Sequence, residues 1–317
     1  MRVAVIGGTG HVGTYLVPRL VESGHEVIVV SRQKRQPYQT HPAWGRVKQI
    51  PIDRKEAEAA GTFGRQVAAL EPEAVVDMIC FTLDSARQLV EALTGRVRHF
   101  LHCGTAWVHG HSTQVPTTEQ LPRRPFCAYG IAKAAIEDYL LGQARRNGFP
   151  ATVIHPGHIV GPGWTPINPA GNVNLGVFTA LARGEEVLLP NLGMETLHHV
   201  HADDVAQMFT LALNSWSCAV GESFHASSPA AVTLRGYAEA VAGWFGREAR
   251  LRFVPWEEFK TLVSPADAEA TWDHIAHSPN CSIAKATRLL DYRPRYSSLQ
   301  AIHESVDWLI ASGRLPV

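Results

Sequence analysis

The residues best suited to chemistry are Tyr129 and Lys133, in the run Tyr129-Gly130-Ile131-Ala132-Lys133. A spacing of four puts a phenol and an ammonium one turn apart on one face of a helix. A lysine and a ribose hydroxyl held beside a tyrosine lower its pKa enough for proton transfer near neutral pH. The chain also opens on Val3-Ala4-Val5-Ile6-Gly7-Gly8-Thr9-Gly10-His11-Val12-Gly13, a short apolar strand running into a glycine-rich turn. Such a turn lets the backbone approach a pyrophosphate at a helix N-terminus, with Gly7, Gly10, His11, Val12 and Gly13 as the candidate cofactor contacts. A dinucleotide beside an acid/base pair implies hydride chemistry.

Alternating strand and helix signals must position these groups. Short, largely apolar strands are expected at residues 2–6, 26–30, 48–52, 74–78, 99–102 and 152–155. Helices are expected between them, at 12–22, 56–70, 85–93 and 131–145. Apolar strands separated by helices imply a parallel sheet covered on both faces, so the expected fold is α/β, a Rossmann-type doubly wound sheet. After about residue 160, Pro162, Gly163, Pro166, Pro169 and Gly171 punctuate a long loop and the regular repeat is lost. Residues 1–160 are therefore read as the dinucleotide-binding domain. Residues 161–317 are read as a smaller, mainly substrate-binding region interleaved with it. Met78 and Ile79, at the end of the fourth strand, are expected to line the cofactor cleft.

Composition narrows the function. The 317 residues are 45% apolar, with 29 acidic and 29 basic side chains, so no basic footprint points to nucleic acid. Five scattered cysteines without a C-x-x-C pair fit neither a disulfide framework nor a structural zinc site, and suit a reducing cytoplasm. The sixteen histidines include no H-E-x-x-H framework, so no metal is expected. The early first strand leaves no room for a signal peptide, and no apolar run reaches spanning length. The expectation is a cytoplasmic protein without membrane or nucleic-acid partners, acting on a small molecule, with a homodimer possible.

The glycine spacing Gly7-x-x-Gly10-x-x-Gly13 differs from the usual G-x-G-x-x-G. Together with Tyr129-x-x-x-Lys133 it resembles the extended short-chain dehydrogenase/reductase superfamily, in its epimerase/dehydratase-like branch. The resemblance continues through 155–163 (R-P-x-x-V-x-G-P-G in the family), through His199-Val200-His201-Ala202-Asp203-Asp204-Val205-Ala206, where an aspartate can cap a helix, and through 285–290 and 299–308. It implies that Thr105, 24 residues before Tyr129, is the hydroxyl that holds the substrate oxygen. It also implies Asp53 beside the adenine amino group, Pro156 against the cofactor, Lys133 on the nicotinamide ribose and His158 on the substrate. Trp107 and Trp164 wall the same cleft or pack the core. Asn172 and Asn174 bond a polyhydroxylated substrate or close their loop.

The departures from that pattern sharpen the reading. Ser31 and Arg32 stand where an NAD site usually has an acid, and Arg32 with Lys34 or Arg35 can pair with a 2′-phosphate, so NADP is favoured with NAD as the alternative. Cys103-Gly104 replaces the family's polar pair, and His109 its tyrosine. Leu197 stands where nucleotide-sugar members carry a diphosphate-binding arginine, which counts against such substrates. Gly104 and Ala106 supply no acid beside Thr105, which counts against dehydration. The expected activity is an NAD(P)-dependent oxidoreductase acting at a secondary alcohol or ketone of a small polar substrate. An epimerase is the enzymatic alternative; a non-catalytic dinucleotide sensor or RNA-associated protein is the alternative of another class.

Overall fold

The computed structural model describes all 317 residues. Strand β1 (Arg2–Ile6) enters the glycine turn and α1 (His11–Glu22), followed by β2 (Glu26–Ser31), β3 (Lys48–Pro51), α2 (Arg54–Ala59) and α3 (Phe63–Ala68). Then come β4 (Ala74–Asp77), α4 (Leu83–Leu93), β5 (His99–Cys103), α5 (Ala128–Asn147), β6 (Ala151–Pro156) and β7 (His158–Val160). The second half runs α6 (Gly176–Arg183), β8 (Glu186–Pro190), β9 (Thr196–Leu197), β10 (His199–His201), α7 (Ala202–Asn214), α8 (Trp216–Ala219) and β11 (Ser223–Ala226). It ends with β12 (Val232–Thr233), α9 (Leu234–Trp244), β13 (Arg250–Val254), α10 (Trp256–Leu262), α11 (Pro265–His277), α12 (Ala284–Leu290) and α13 (Ser298–Ala311).

The central sheet has seven parallel strands in the order β11-β6-β5-β4-β1-β2-β3. The order reverses between β1 and β4, and a crevice opens there at the carboxyl ends of the strands. Side-chain alternation splits the core in two. Val3 and Val5 of β1 pack with Leu16, Leu20, Phe209 and Leu290, whereas Ala4 and Ile6 pack with Phe63, Leu89, Ile136 and Leu140. A third cluster, including Phe178, Leu189, Tyr237, Phe259 and Val306, holds the C-terminal region.

A seventh strand joins the six expected within the first 160 residues. Residues 223–226 read Ser-Phe-His-Ala, and the buried His225 hides the strand from an apolar-run criterion. It also draws residues beyond 160 into the sheet. The helix expected at 56–70 is two helices, because the chain turns through Gly61 at φ +64° between α2 and α3. The cap of α7 is another difference: His201 Nδ1, not an aspartate, accepts from Asp203 N at 3.0 Å. Asp203 instead takes a forked bond from Arg19 of α1 (2.9 and 2.7 Å), and Asp204 accepts from the amides of Arg295 and Tyr296. Both acids tie α7 to other elements.

Candidate active site

The glycine turn is shaped by what it leaves out. Gly7 has φ +83°, and a β-carbon there would come within 2.9 Å of Ile79. A β-carbon on Gly13 would collide with the Gly8 carbonyl, so α1 packs directly on the turn. Gly10 caps α1 without a side chain, and the first turn carries no acid, so nothing on the chain competes with an anion for its amides. His11 and Val12 are buried in that turn. This cradle fits a dinucleotide pyrophosphate.

Beside it lies a cavity of about 610 Å³ whose wall includes Gly7, Gly10, Ser31, Arg32, Asp53 and Ile79. Ser31 Oγ accepts from Gln33 N (3.2 Å) and turns the chain so that exposed Arg32, Lys34 and Arg35 stand at the rim with Lys55. Asp53 both lines the wall and caps α2, accepting from Lys55 N at 3.0 Å. Met78 does not join Ile79 in this wall. Alternation along the chain turns it to the core beneath α1 and α7. Sequence reasoning missed the cavity's floor: Arg54 bonds buried Asp77 (2.6 Å) and Glu58 (2.6 Å), and Ser85 bonds Glu58 (2.8 Å). Asp77, Cys80 and His102 bring metal-type ligand atoms within 4.8 Å of one another. The Arg54 guanidinium on Asp77 and the nearby Lys133 ammonium oppose a further cation there.

Thr105 and Tyr129 line a second cavity, of about 250 Å³, together with Trp107, Pro156, His158 and Trp164. Thr105 follows β5, and its Oγ accepts from Trp107 N at 3.3 Å, capping a 3-10 turn at Ala106–His109. Tyr129 sits in the first turn of α5, which Cys127 caps through Gly130 N at 3.3 Å. Burial, and secondarily Cys103, push the Tyr129 phenol up to about 12 against a hydrogen bond with Thr105. Lys133 is 2% exposed; its ammonium donates to the carbonyls of Cys80 (2.8 Å) and Cys103 (2.7 Å), and burial lowers its pKa. It lies 5.9 Å from the Tyr129 ring centroid. Two of the ammonium's three hydrogens are thus spent on main-chain carbonyls.

The remaining wall is aromatic and uncharged. Trp107 stacks on His277 (4.2 Å, 15°), and His158 packs among Trp107, His199 and His274. Burial, reinforced by His274 and His199, holds His158 well below the usual imidazole range, so it is neutral at pH 7. Asn174 lies outside this cavity, contrary to expectation. It is exposed, its Oδ1 accepts from Gly176 N (2.9 Å) and its Nδ2 donates to Asp267 (3.1 Å). Asn172 is likewise spent on its own loop and on Thr271. Leu197 is fully buried in the C-terminal core, and Arg183 is exposed at the end of α6. No helix is long and apolar enough to cross a membrane.

A family profile described as the NAD dependent epimerase/dehydratase family matches residues 3–224. The 2'-dehydrokanamycin reductase of Streptomyces kanamyceticus is 27% identical over 319 residues, covering 99% of this chain and 86% of that protein. A UDP-glucose 4-epimerase of Mycolicibacterium smegmatis is 24% identical over 277 residues, covering 80% of this chain and 86% of that protein. Among solved structures, the UDP-glucose 4-epimerase of Thermotoga maritima with UDP-glucose superposes with a TM-score of 0.75 at 22% identity, covering 98% of this chain and 99% of that one.

Proposed function

Since the chain belongs to the NAD dependent epimerase/dehydratase family, we propose that it is an NAD(P)-dependent oxidoreductase that interconverts a secondary alcohol and a ketone on a small polar substrate. It is an enzyme of the extended short-chain dehydrogenase/reductase type. The observation that carries the finer reading is the convergence of Thr105 and Tyr129 on one cavity, with Lys133 behind them and Trp164 joining that cavity to the glycine turn.

The nicotinamide supplies or accepts the hydride. Gly7, Gly10 and the first amides of α1 hold the pyrophosphate, and the wall that includes Ile79 and Asp53 holds the adenosine. Arg32, Lys34 and Arg35 receive a 2′-phosphate, which makes NADP the favoured form. Tyr129 exchanges a proton with the substrate oxygen, and Thr105 donates its hydroxyl hydrogen to the same oxygen. Lys133 spends two of its three donors on the carbonyls of Cys80 and Cys103, and the third bonds the ribose. Trp107 and Trp164 exclude water and present flat faces to a ring.

An uncharged cavity wall and a buried Leu197 argue for a free sugar or another hydroxy-carbonyl compound over a nucleotide sugar. The full-length relative named for a reductase points the same way. The test is a screen of free keto sugars, their alcohols and hydroxy-ketones that follows nicotinamide absorbance with both cofactors. Net oxidation or reduction of cofactor supports the reading. Isomer interconversion without net cofactor turnover replaces it with epimerisation.

A further inference from the structure

We propose that His155 and Glu137 form a buried positioning pair that fixes the main chain of Thr105 against the helix face carrying Tyr129 and Lys133. The inference rests on the catalytic reading of Thr105 above. Tyr129, Lys133 and Glu137 follow one another at spacings of four along α5, so all three lie on one face. Glu137 Oε1 meets His155 Nε2 at 3.1 Å, and His155 Nδ1 lies 2.7 Å from the Thr105 carbonyl oxygen. Both side chains are buried, at 3% and 0% exposure. Nδ1 also lies 3.2 Å from the Thr105 amide, so the ring meets the main chain of Thr105 at both its N–H and its carbonyl.

The pair acts where the sheet stops. The β5–β6 ladder ends at Cys103 opposite Ile154, and Gly104 N makes its last bond, to the Ile154 carbonyl at 2.7 Å. Thr105 therefore has no strand partner, and the ring of the next β6 residue takes that place. Beyond it, Arg123 grips Glu137 with two bonds of 3.1 and 2.6 Å, so the carboxylate cannot swing away from the ring. Burial opposes ionisation of Glu137, but the His155 and Arg123 partners outweigh it and hold the carboxyl well below its ordinary range.

Gly104 completes the device. A β-carbon there would meet Val153 at 2.9 Å and His155 Nδ1 at 3.0 Å. The glycine at 104 and the imidazole at 155 thus fit together, the ring occupying the space that a side chain would fill. With its carbonyl held by His155 and its Oγ by Trp107 N, Thr105 is fixed beside Tyr129 in the cavity wall. Misplacing a reacting group by 1 Å costs about a hundredfold in rate.

Two isosteres separate the pair's two contacts. His155→Asn keeps a donor near the Nδ1 position and so the Thr105 bond, whereas His155→Gln keeps a donor near Nε2 and loses it. Both remove the same ring from the core. With the sugar or hydroxy-ketone turned over fastest in the screen above, His155→Gln should lower kcat about ten- to a hundredfold at nearly constant KM. His155→Asn should lower it less than about fivefold. Combined with Thr105→Ala, His155→Gln should cost nothing further, because it acts through Thr105. Hydrogen exchange of residues 103–110, which needs no substrate, should quicken in His155→Gln and not in His155→Asn. Equal kcat losses in the two variants, additive loss on Thr105→Ala, or unchanged exchange in His155→Gln overturns the positioning role. Full activity in Thr105→Ala overturns the catalytic reading itself, and the role with it.

Discussion

The indole of Trp164 lies parallel to the imidazole of His11, with ring centroids 5.2 Å apart and 8° between the planes. His11 is the first residue of α1, directly after the glycine turn, and Trp164 walls the cavity shared by Thr105 and Tyr129. One stack therefore joins the glycine turn to the cavity of Thr105 and Tyr129. Tyr38 packs edge-on to both rings, and Gly163 makes room for it, since a β-carbon there would collide with the Tyr38 ring. Filling the glycine turn should change the surroundings of Trp164, so we expect cofactor to alter the protein's tryptophan emission. Trp164→Phe should remove most of that change. A change of full size in the variant would detach the stack from cofactor binding.

Tyr129→Phe tests the acid/base assignment. The ring contributes shape and the hydroxyl the proton, so turnover should fall about 10²- to 10⁴-fold while cofactor affinity stays within a few-fold. Paired steady-state kinetics and cofactor titration check both halves. Activity close to that of the parent protein would sink the assignment.

The parts of the site legible in the sequence are those encoded locally. A strand–glycine turn–helix and a Tyr-x-x-x-Lys face need only neighbouring residues to specify them. Arg54 on Asp77, His155 between Thr105 and Glu137, and Trp164 on His11 are made by tertiary contact, and no spacing announces them. Misreadings arose where one residue type serves two ends. Asn174 has the groups for a sugar hydroxyl but spends them on Gly176 and Asp267. Asp203 has the form of a helix cap but is drawn away by Arg19, and His201 caps in its place. Gly104 looked like a mere departure from a polar pair until the ring of His155 was seen in the space it leaves.

Cofactor choice should turn on Arg32. If its guanidinium meets a 2′-phosphate, NADPH should bind more tightly than NADH, and Arg32→Ala should erase most of the difference. A charge-assisted bond of about 1.5–3 kcal/mol corresponds to roughly ten- to a hundredfold in affinity. Calorimetric titration of both cofactors reads it directly. Equal affinities in the unmodified protein would assign Arg32 to solvent.

Acid should destabilise the fold. Burial holds His11, His99, His198 and His201 down to about 4, and His109 and His199 to about 3. Unfolded, each titrates near 6.5. Between those values the unfolded chain binds more protons, so stability rises with pH and is lost as pH falls from about 6.5 toward 4. Asp204, raised by burial to about 6, and Glu304, also raised by burial, have the opposite sign, but they are two groups against six. We expect Tm to fall steadily between about pH 7 and pH 5, with several protons taken up on unfolding. A Tm that is flat or rising on acidification would show that these rings are charged in the fold.

Substrate class rests on Leu197. Its side chain is fully buried, and no charged residue lines the cavity that holds Thr105 and Tyr129. The candidates nearest Leu197 in the chain supply no cation: His198 and His199 are neutral, held by burial to about 4 and 3, and Arg183 is exposed at the end of α6. A diphosphate placed there would lose its hydration without gaining an ionic partner, which is strongly unfavourable in a partly buried site. We therefore expect UDP and dTDP to bind weakly, with dissociation constants in the millimolar range or above, even in the presence of cofactor. Introducing Leu197→Arg should not rescue binding, because residue 197 points into the C-terminal core and a guanidinium there would cost stability instead. Calorimetry with each nucleotide, on the parent protein saturated with cofactor, is the direct check. Micromolar binding of either one would mean that another group has taken over the phosphates, and epimerisation of a nucleotide sugar would then displace net redox chemistry on a free one.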